Sequence, residues 1–141
     1  MAEFYTTFTN YEIARQIADM VNRYNRWYVS FSDQNILHGP TRYFVETVHN
    51  KIVGCAGLNI ESPSTSKLLH ICTLPEYRGM GIAKKLSECA IASANAEYIY
   101  MTIREDNIPS IRLANALRFQ YFRKHRFMDH FTLSFGRKRD G

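Results

Sequence analysis

The sequence predicts one mixed α/β domain, and three observations support this. Strand-like and helix-like segments alternate along the chain in the order β-α-α-β-β-β-α-β-α-β-β. A length of 141 residues fits a single domain. Apolar residues make up 45% of the chain, which is enough material for one core. We therefore expect a single domain over 1–141 that ends in a basic tail at 136–141.

The first half of the chain is predicted to contain four strands and two helices. The strands are runs rich in β-branched and aromatic residues, whereas the first helix has apolar residues every three or four positions. Thr9 or Asn10 is a candidate cap for that helix. His49-Asn50-Lys51 is typical of a hairpin turn. The expected elements are strands at 3–8, 43–47, 52–60 and 67–73, a helix over 13–23 and a short helix within 24–41.

The second half is predicted to contain two helices, one strand and a closing hairpin. A helical pattern starts directly after Gly81, and a strand is expected at Tyr98–Ile103. Asn107 caps the next helix, and Pro109 is tolerated because it lies in the first turn. The hairpin is expected over Phe119–Lys124 and 130–135.

The most informative segment is Leu68–Ala83, where a strand, a glycine-bearing turn and a helix follow one another. The first N–H groups of a helix lack intrahelical partners and lie at the positive end of its dipole. Gly79 and Gly81 let an anion approach this backbone, and Arg78 adds a permanent charge. The segment predicts a phosphate-bearing ligand at the start of the helix.

Two other phosphate motifs are excluded by the residues present. A P-loop requires Gly-x-x-x-x-Gly-Lys followed by Ser or Thr, and the chain contains no such string. A dinucleotide fingerprint requires a third small residue, and Lys84 holds that position.

The remaining pattern is Arg78-x-x-Gly81-x-Ala83, and it resembles the signature of the GNAT superfamily of acyl-CoA-dependent N-acetyltransferases, Gln/Arg-x-x-Gly-x-Gly/Ala. The resemblance extends over about residues 51 to 119. It implies a central mixed, mostly antiparallel sheet of six or seven strands flanked by about four helices. It also implies acetyl-CoA as co-substrate and transfer of the acetyl group to a primary amine of a small molecule or protein.

The resemblance assigns a set of cofactor-binding residues. The strand at Ile71-Cys72-Thr73 would pair with the pantetheine arm, and the amide near Ile71 would serve the oxyanion. Asn107 resembles the family's Asn at the mouth of the cleft, although a simple helix cap explains it equally well. The complete set is Ile71, Cys72, Thr73, Arg78, Gly79, Met80, Gly81, Ile82, Ala83, Lys84 and Asn107.

Three positions depart from the family pattern. Ala114 follows Leu113 where many members carry a Tyr that protonates the leaving thiolate, and Arg118 replaces a Gly before Phe119. Lys67 stands where some members place a catalytic Glu.

These departures leave the acid and the base open. Tyr121 or Tyr100 could supply the proton to the thiolate. His70 is the candidate base because imidazole titrates near neutral pH, although a lone strand His is more often structural. Glu46 is a weaker candidate, and a water relay is a further alternative.

The acceptor site is expected in the 24–41 segment and the last hairpin. Trp27 and Tyr28 could line a groove for the acceptor, although aromatic residues near a helix end more often belong to the core. The acceptor's identity does not follow from the sequence.

Composition bounds the other function classes. The start of the chain has no secretory signal pattern, and nothing approaches 18 consecutive apolar residues, so we expect no membrane partner and a cytoplasmic location. Cys55, Cys72 and Cys89 are widely spaced in apolar segments and predict buried free thiols. No metal-ligand spacing occurs, so no metal is expected.

The net charge of +5 lies entirely in residues 118–141, which hold seven Lys or Arg and two Asp. A solvated hairpin and tail explain this excess most simply, and RNA or an acidic protein is the alternative. Three functions follow in order: an N-acetyltransferase, a silent acyl-CoA-binding module, and an RNA-directed acetyltransferase. Either a monomer or a homodimer is compatible with the sequence.

Overall fold

The computed structural model describes residues 2–5, 11–24 and 30–139. Its element order is the order that the sequence predicts. The strands are β1 Ala2–Tyr5, β2 Thr41–Val48, β3 Lys51–Ser62, β4 Thr65–Thr73, β5 Tyr98–Arg104, β6 Gln120–Phe127 and β7 His130–Lys138. The helices are α1 Tyr11–Tyr24, α2 Asp33–His38, α3 Ile82–Ser93 and α4 Ile108–Ala116, with a 3-10 turn at Pro75–Tyr77.

The described strands form one seven-stranded sheet with the order β1-β2-β3-β4-β5-β7-β6. The pair β4–β5 is parallel, and the other five pairs are antiparallel. A parallel pair needs a crossover connection, and α3 supplies it between β4 and β5. The predicted mixed, mostly antiparallel sheet with four helices is confirmed.

Helices cover both faces of the sheet, so the protein has a hydrophobic core on each face. Residues of α3 and α4 pack with β5 and with one face of β3 and β4, including Leu58, Leu68 and Leu86. Residues of α1 and α2 pack on the opposite face, against Tyr43 and Val45. This two-faced packing explains the nearly continuous burial of β3 from Ile52 to Leu58.

Several boundaries differ from the predicted ones. β3 and β4 extend to Ser62 and from Thr65, so the polar break is only a tight turn in a long hairpin. The expected basic tail at 136–141 is wrong at its start, because residues 136–138 pair with β5 as the end of β7. In each case, pairing with a neighbouring strand extends the strand beyond the residues whose own sequence pattern predicts it. The candidate caps Thr9 and Asn10 lie outside the described residues.

Candidate active site

A gap between β4 and β5 is the central feature of the site. Their ladder consists of three residue pairs and ends at Lys67 and Tyr100. No further pairing between these strands occurs within the described residues, although β4 continues to Thr73 and β5 to Arg104. The two halves of the sheet therefore separate beyond Lys67. From Leu68 to Thr73, the edge of β4 that faces β5 has no strand partner among the described residues.

The unpaired edge of β4 presents the main-chain groups of Ile71 and Thr73. The N–H of Leu74 donates to the carbonyl of Val53 on β3 at 2.8 Å. Alternate residues of an antiparallel strand point to opposite sides. Thr73 and Ile71 therefore direct their N–H and C=O groups away from β3 and toward the gap.

A β-bulge at His70 sets this alternation. The β3–β4 register shifts between Cys55 and Gly57, so that Ala56 opposes both His70 and Ile71. His70 has φ +54, a left-handed conformation that is uncommon for residues other than glycine. Because of the extra residue, Leu68 lies in the α3/α4 core and Cys72 in the α1/α2 core. The bulge thus redirects the Ile71 amide.

The turn before α3 is shaped to approach an anion. Gly79 and Gly81 have φ near +80, which only glycine adopts without cost. A Cβ built on either residue would have no protein atom within 4 Å. Among the described residues, the main-chain N–H groups of residues 79–83 have no recorded hydrogen bond. These donors are gathered at the positive end of α3, in open space.

Arg78 connects this turn to the end of β4. Its Nε donates to the carbonyl of Thr73 at 3.1 Å, and its guanidinium lies 5.2 Å from the centre of the Tyr24 ring. These contacts orient the side chain without a carboxylate among the described residues. The Thr73 hydroxyl is buried there and has no hydrogen-bond partner in the described part of the chain. Such orphaned polar groups require an explanation, and a bound ligand is one.

His70 is held in a buried, uncharged state. Its Nδ1 lies 2.6 Å from the Tyr43 hydroxyl, and the ring contacts Phe31 edge-on at 4.7 Å. Burial, assisted by the charge of Lys67, lowers the pKa of His70 to about 4. Burial also raises the pKa of Tyr43, so its hydroxyl stays protonated beside Nδ1. Because the ring is buried and Nδ1 is hydrogen-bonded to Tyr43, the geometry favours a positioning role at the bulge, and base catalysis by His70 stays a prediction.

A polar cluster of Tyr100, Glu61 and Lys67 lies at the closed end of the gap, where the β4–β5 ladder ends. The Tyr100 hydroxyl donates to the Glu61 carboxylate at 2.5 Å, and the Lys67 ammonium lies 5.7 Å from the centre of the Tyr100 ring. Burial and then the Glu61 contact raise the pKa of Tyr100 to about 12. Burial lowers the pKa of Lys67. Both side chains point to the face opposite α3, because their strand neighbours Leu68 and Ile99 belong to the α3/α4 core.

Glu46 forms an ion pair with α3. Its carboxylate accepts from the Lys85 ammonium at 2.9 Å, and 8% of its side chain is exposed. Burial acts to raise the pKa of Glu46, but hydrogen bonds and positive charge, including those of Lys85, lower it below its ordinary value. A carboxylate stabilised in this way is a poor proton acceptor, which makes Glu46 a weak candidate base.

The start of α4 explains Asn107. The Asn107 side chain accepts from the Ser110 N–H at 3.3 Å, so the prediction of a helix cap is confirmed. Its predicted contact with the cofactor stays a prediction.

The end of α4 and the residues just after it contain two of the three departures from the family pattern, Ala114 and Arg118. Ala114 is fully buried in the α3/α4 core. The Phe119 N–H bonds to the Ala114 carbonyl and the Arg118 N–H to the Asn115 carbonyl, which is the Schellman pattern. Arg118 occupies the left-handed position of this motif with φ +64, where glycine is usual. Arg118 therefore has the backbone conformation that a glycine usually has at this position of the motif.

Tyr121, the candidate acid, does not lie at the gap. Tyr121 lies on β6, which β7 separates from β5, so it is about 10 Å from the β5 edge at the usual strand spacing. Its ring is 54% exposed and packs edge-on against Phe135. This placement gives no support to Tyr121 as the acid. Trp27 and Tyr28 lie outside the described residues.

The local sequence pattern did not identify Tyr43 or Glu61 as parts of the site. Both come to β4 and β5 through cross-strand register, which a single strand's pattern does not specify. The polar character of Glu61 and Lys67 on either side of the β3–β4 turn was the available signal. The free thiols of Cys55 and Cys72 are buried as predicted, whereas Cys89 is partly exposed.

The described part of the chain contains neither a cluster of metal-ligating side chains nor a helix suited to span a membrane. No cluster of three His, Cys, Asp or Glu side chains there is arranged to hold a metal ion. None of the described helices combines the length and apolar character that a bilayer crossing needs.

The sheet opens beside a glycine turn and a helix N-terminus, and comparison with known proteins identifies the family that the chain belongs to. The model of the acetyltransferase (GNAT) family matches residues 3–119. The chain belongs to the GNAT acetyltransferase family. The resemblance predicted from Arg78, Gly81 and Ala83 is thereby confirmed.

Individual relatives are consistent with this assignment. A curated N-alpha-acetyltransferase of Saccharolobus solfataricus is 37% identical over a region that covers 55% of this chain and 56% of the relative. The chain thus matches about half of that protein's length. YncA of Salmonella typhimurium, solved with acetyl-CoA, has a TM-score of 0.80 at 16% identity over 99% of this chain and 94% of that one. The ribosomal-protein-S18-alanine N-acetyltransferase of Escherichia coli has a TM-score of 0.78 at 15% identity over 100% and 96%.

Proposed function

We propose that the protein is an acetyl-CoA-dependent N-acetyltransferase that acts on a primary amine, with the α-amino group of a polypeptide as the first acceptor to test. The single observation that carries the proposal is the unpaired β4 edge leading to open backbone donors at residues 79–83. The relative from Saccharolobus solfataricus, named an N-alpha-acetyltransferase, supports the choice of acceptor. When bound, acetyl-CoA supplies an activated thioester for transfer to an amine.

The residues of the gap fit this ligand. Ile71 and Thr73 offer strand-like donors and acceptors to an amide-bearing arm, as a missing β-strand would. The glycine turn and the α3 N-terminus offer main-chain N–H groups to phosphates, and Arg78 adds charge. The amide near Ile71 would support a developing oxyanion, and loss of one such donor typically costs about 10²–10³-fold in rate.

The closed end of the gap would receive the acceptor. Lys67, Tyr100 and Glu61 lie there on the face opposite α3. Glu61 would attract the positively charged form of an incoming amine, and Lys67 would oppose it. We expect this pairing to set the acceptor preference.

Calorimetry with acetyl-CoA tests the donor site. Arg78→Glu should weaken binding by about 10- to 100-fold, because a charge-assisted hydrogen bond contributes about 1.5–3 kcal/mol. Lys138→Glu, a charge reversal at an exposed position beside Tyr98, at the opposite end of β4 from Thr73, is the matched control and should bind normally. An unchanged dissociation constant for Arg78→Glu would remove Arg78 from the site.

Release of free CoA tests the transfer reaction. Peptides with a free α-amine, with a blocked α-amine and a free lysine, or with both amines blocked should be compared. We expect turnover only with the first peptide. Turnover of the lysine peptide alone would overturn the choice of acceptor while leaving the transferase proposal intact.

The second candidate function is a silent acyl-CoA-binding module, and the buried Ala114 favours it. Ala114 stands where many family members carry the acid for the leaving thiolate. A missing general acid costs about 10²–10⁴-fold, so a slow enzyme remains compatible with this residue. Tight acetyl-CoA binding without CoA release from any amine would favour the module.

A further inference from the structure

The hairpin of β6 and β7 presents an exposed surface, and its outer strand β6 lies two strands away from the gap between β4 and β5. Among the described strands, β6 lies at the edge of the sheet and pairs with β7 alone. Every β6 residue except His125 is exposed, so both faces and the outer edge of this strand meet solvent. A long, exposed edge strand is a surface on which another chain can dock.

Large apolar side chains are concentrated on this hairpin. Five of them are 39% to 62% exposed: Tyr121, Phe122, Phe127, Met128 and Phe131. Four are aromatic rings within eleven consecutive residues. Clustered exposed apolar residues mark interaction sites far more than scattered ones do.

Cations are interleaved with these rings. Arg123, Lys124 and Arg126 lie on β6, and the Lys124 ammonium is 4.6 Å from the centre of the Phe131 ring. Lys124 also pairs with Glu105 at 2.6 Å. Arg126 donates to the Met128 carbonyl at 3.2 Å. Within the described residues, neither Arg123 nor Arg126 has a carboxylate partner.

A second copy of the chain is disfavoured as the occupant. An antiparallel pairing of two β6 edges would bring the basic run 123–126 of one copy against the same run of the other. Like charges opposite one another on neighbouring strands are destabilising. The charge pattern therefore selects an anionic partner.

We infer that the β6–β7 hairpin binds single-stranded nucleic acid. Each nucleotide carries a phosphate and a flat base, and the hairpin offers cations and exposed rings side by side. Arg123 lies on the same face of β6 as Phe127, and Arg126 lies beside Phe131. A strand laid along the outer edge would therefore find both kinds of contact on each face. An acidic polypeptide would satisfy the cations and leave four rings exposed.

Fluorescence anisotropy with a labelled single-stranded 12-mer tests this inference. The experiment compares single-stranded RNA with single-stranded DNA of the same sequence. It also includes a duplex of that sequence, and polyglutamate as a competitor. If about three phosphates are contacted, binding should weaken roughly 18-fold between about 50 and 200 mM salt, from a slope of about −0.7 per phosphate. The RNA and DNA arms identify which nucleic acid is preferred.

Two variants separate charge from stacking. Arg123→Glu with Arg126→Glu should abolish most of the binding and flatten the salt dependence. Arg15→Glu with Lys51→Glu changes the net charge equally at distant exposed positions and should bind normally. Phe122→Leu keeps an apolar side chain but removes a ring, and it should weaken binding about fivefold or more if one base stacks there.

Each outcome decides the inference. Single-strand binding that the hairpin variants lose and the distant control keeps would establish it. Absence of binding at low salt would overturn it, as would equal competition by polyglutamate, which would indicate an acidic polypeptide instead. Binding of acetyl-CoA should be the same in the wild type and the hairpin variants, because none of the changed positions lies on β4 or at the start of α3. Failure of the hairpin inference therefore leaves the proposed donor site untouched.

Discussion

Replacement of His70 by Asn tests the structural role of the buried imidazole. Asn tolerates the left-handed conformation of this position and does not titrate. An unfolded histidine has a pKa of about 6.5, whereas burial lowers the pKa of His70 to about 4. Between these values the unfolded chain binds more protons, so His70 lowers the stability of the fold as pH falls through this window.

The two pKa values give the size of this effect. Its contribution is almost nil at about pH 7.5, and at about pH 5 it amounts to a loss of about 2 kcal/mol. Urea unfolding of both proteins, followed by circular dichroism at each pH, measures it. The wild type should lose about 2 kcal/mol more than His70→Asn over this range. The exposed His38→Asn variant controls for the loss of an imidazole. Equal losses for wild type and His70→Asn would refute the reasoning, because His70 would then titrate as in the unfolded chain.

Three further predictions concern α3 and α4. Arg118→Gly should raise the free energy of unfolding by about 1 kcal/mol because it relieves the left-handed strain, and a melting temperature that does not rise would contradict this. Gly81→Val should abolish acetyl-CoA binding in calorimetry because a branched side chain would occupy the open side of the turn, while Lys84→Ala should weaken it less; undiminished binding by Gly81→Val would place the phosphates elsewhere. Lys85→Met should destabilise the fold by about 1 kcal/mol at neutral pH, since it strips the partner from the buried Glu46. Because the pKa of Glu46 is lowered in the wild type, the destabilisation by Lys85→Met should shrink as pH falls toward 4. Urea unfolding at about pH 7 and about pH 4 measures this, and an equal destabilisation at the two pH values would contradict the prediction.

The local features of the site were predictable from the sequence, because they depend on consecutive residues. A strand, two glycines with special conformations and a helix start all lie within Leu68–Ala83, and the structure shows each of them. The cap at Asn107 was predictable for the same reason.

Features that depend on strand order were not predictable. β7 lies between β5 and β6, which removes Tyr121 from the gap, and no local pattern announces that order. The bulge at His70 depends on how β3 and β4 align, and the contact with Tyr43 depends on β2 as well. Register is a property of the assembled sheet, so a histidine in an apolar run gave no sign of it.

The three residue pairs between β4 and β5 have a consequence for how the sheet is held together. Strands β1–β4 form one leaf and β5, β7 and β6 form the other, and this short ladder is the seam that joins them. A ligand that lies along the Ile71 and Thr73 edge would contact both groups of strands and hold them together. Binding would then stabilise the whole sheet: at a ligand concentration about 100 times its dissociation constant, the free energy of unfolding would rise by about 2.7 kcal/mol.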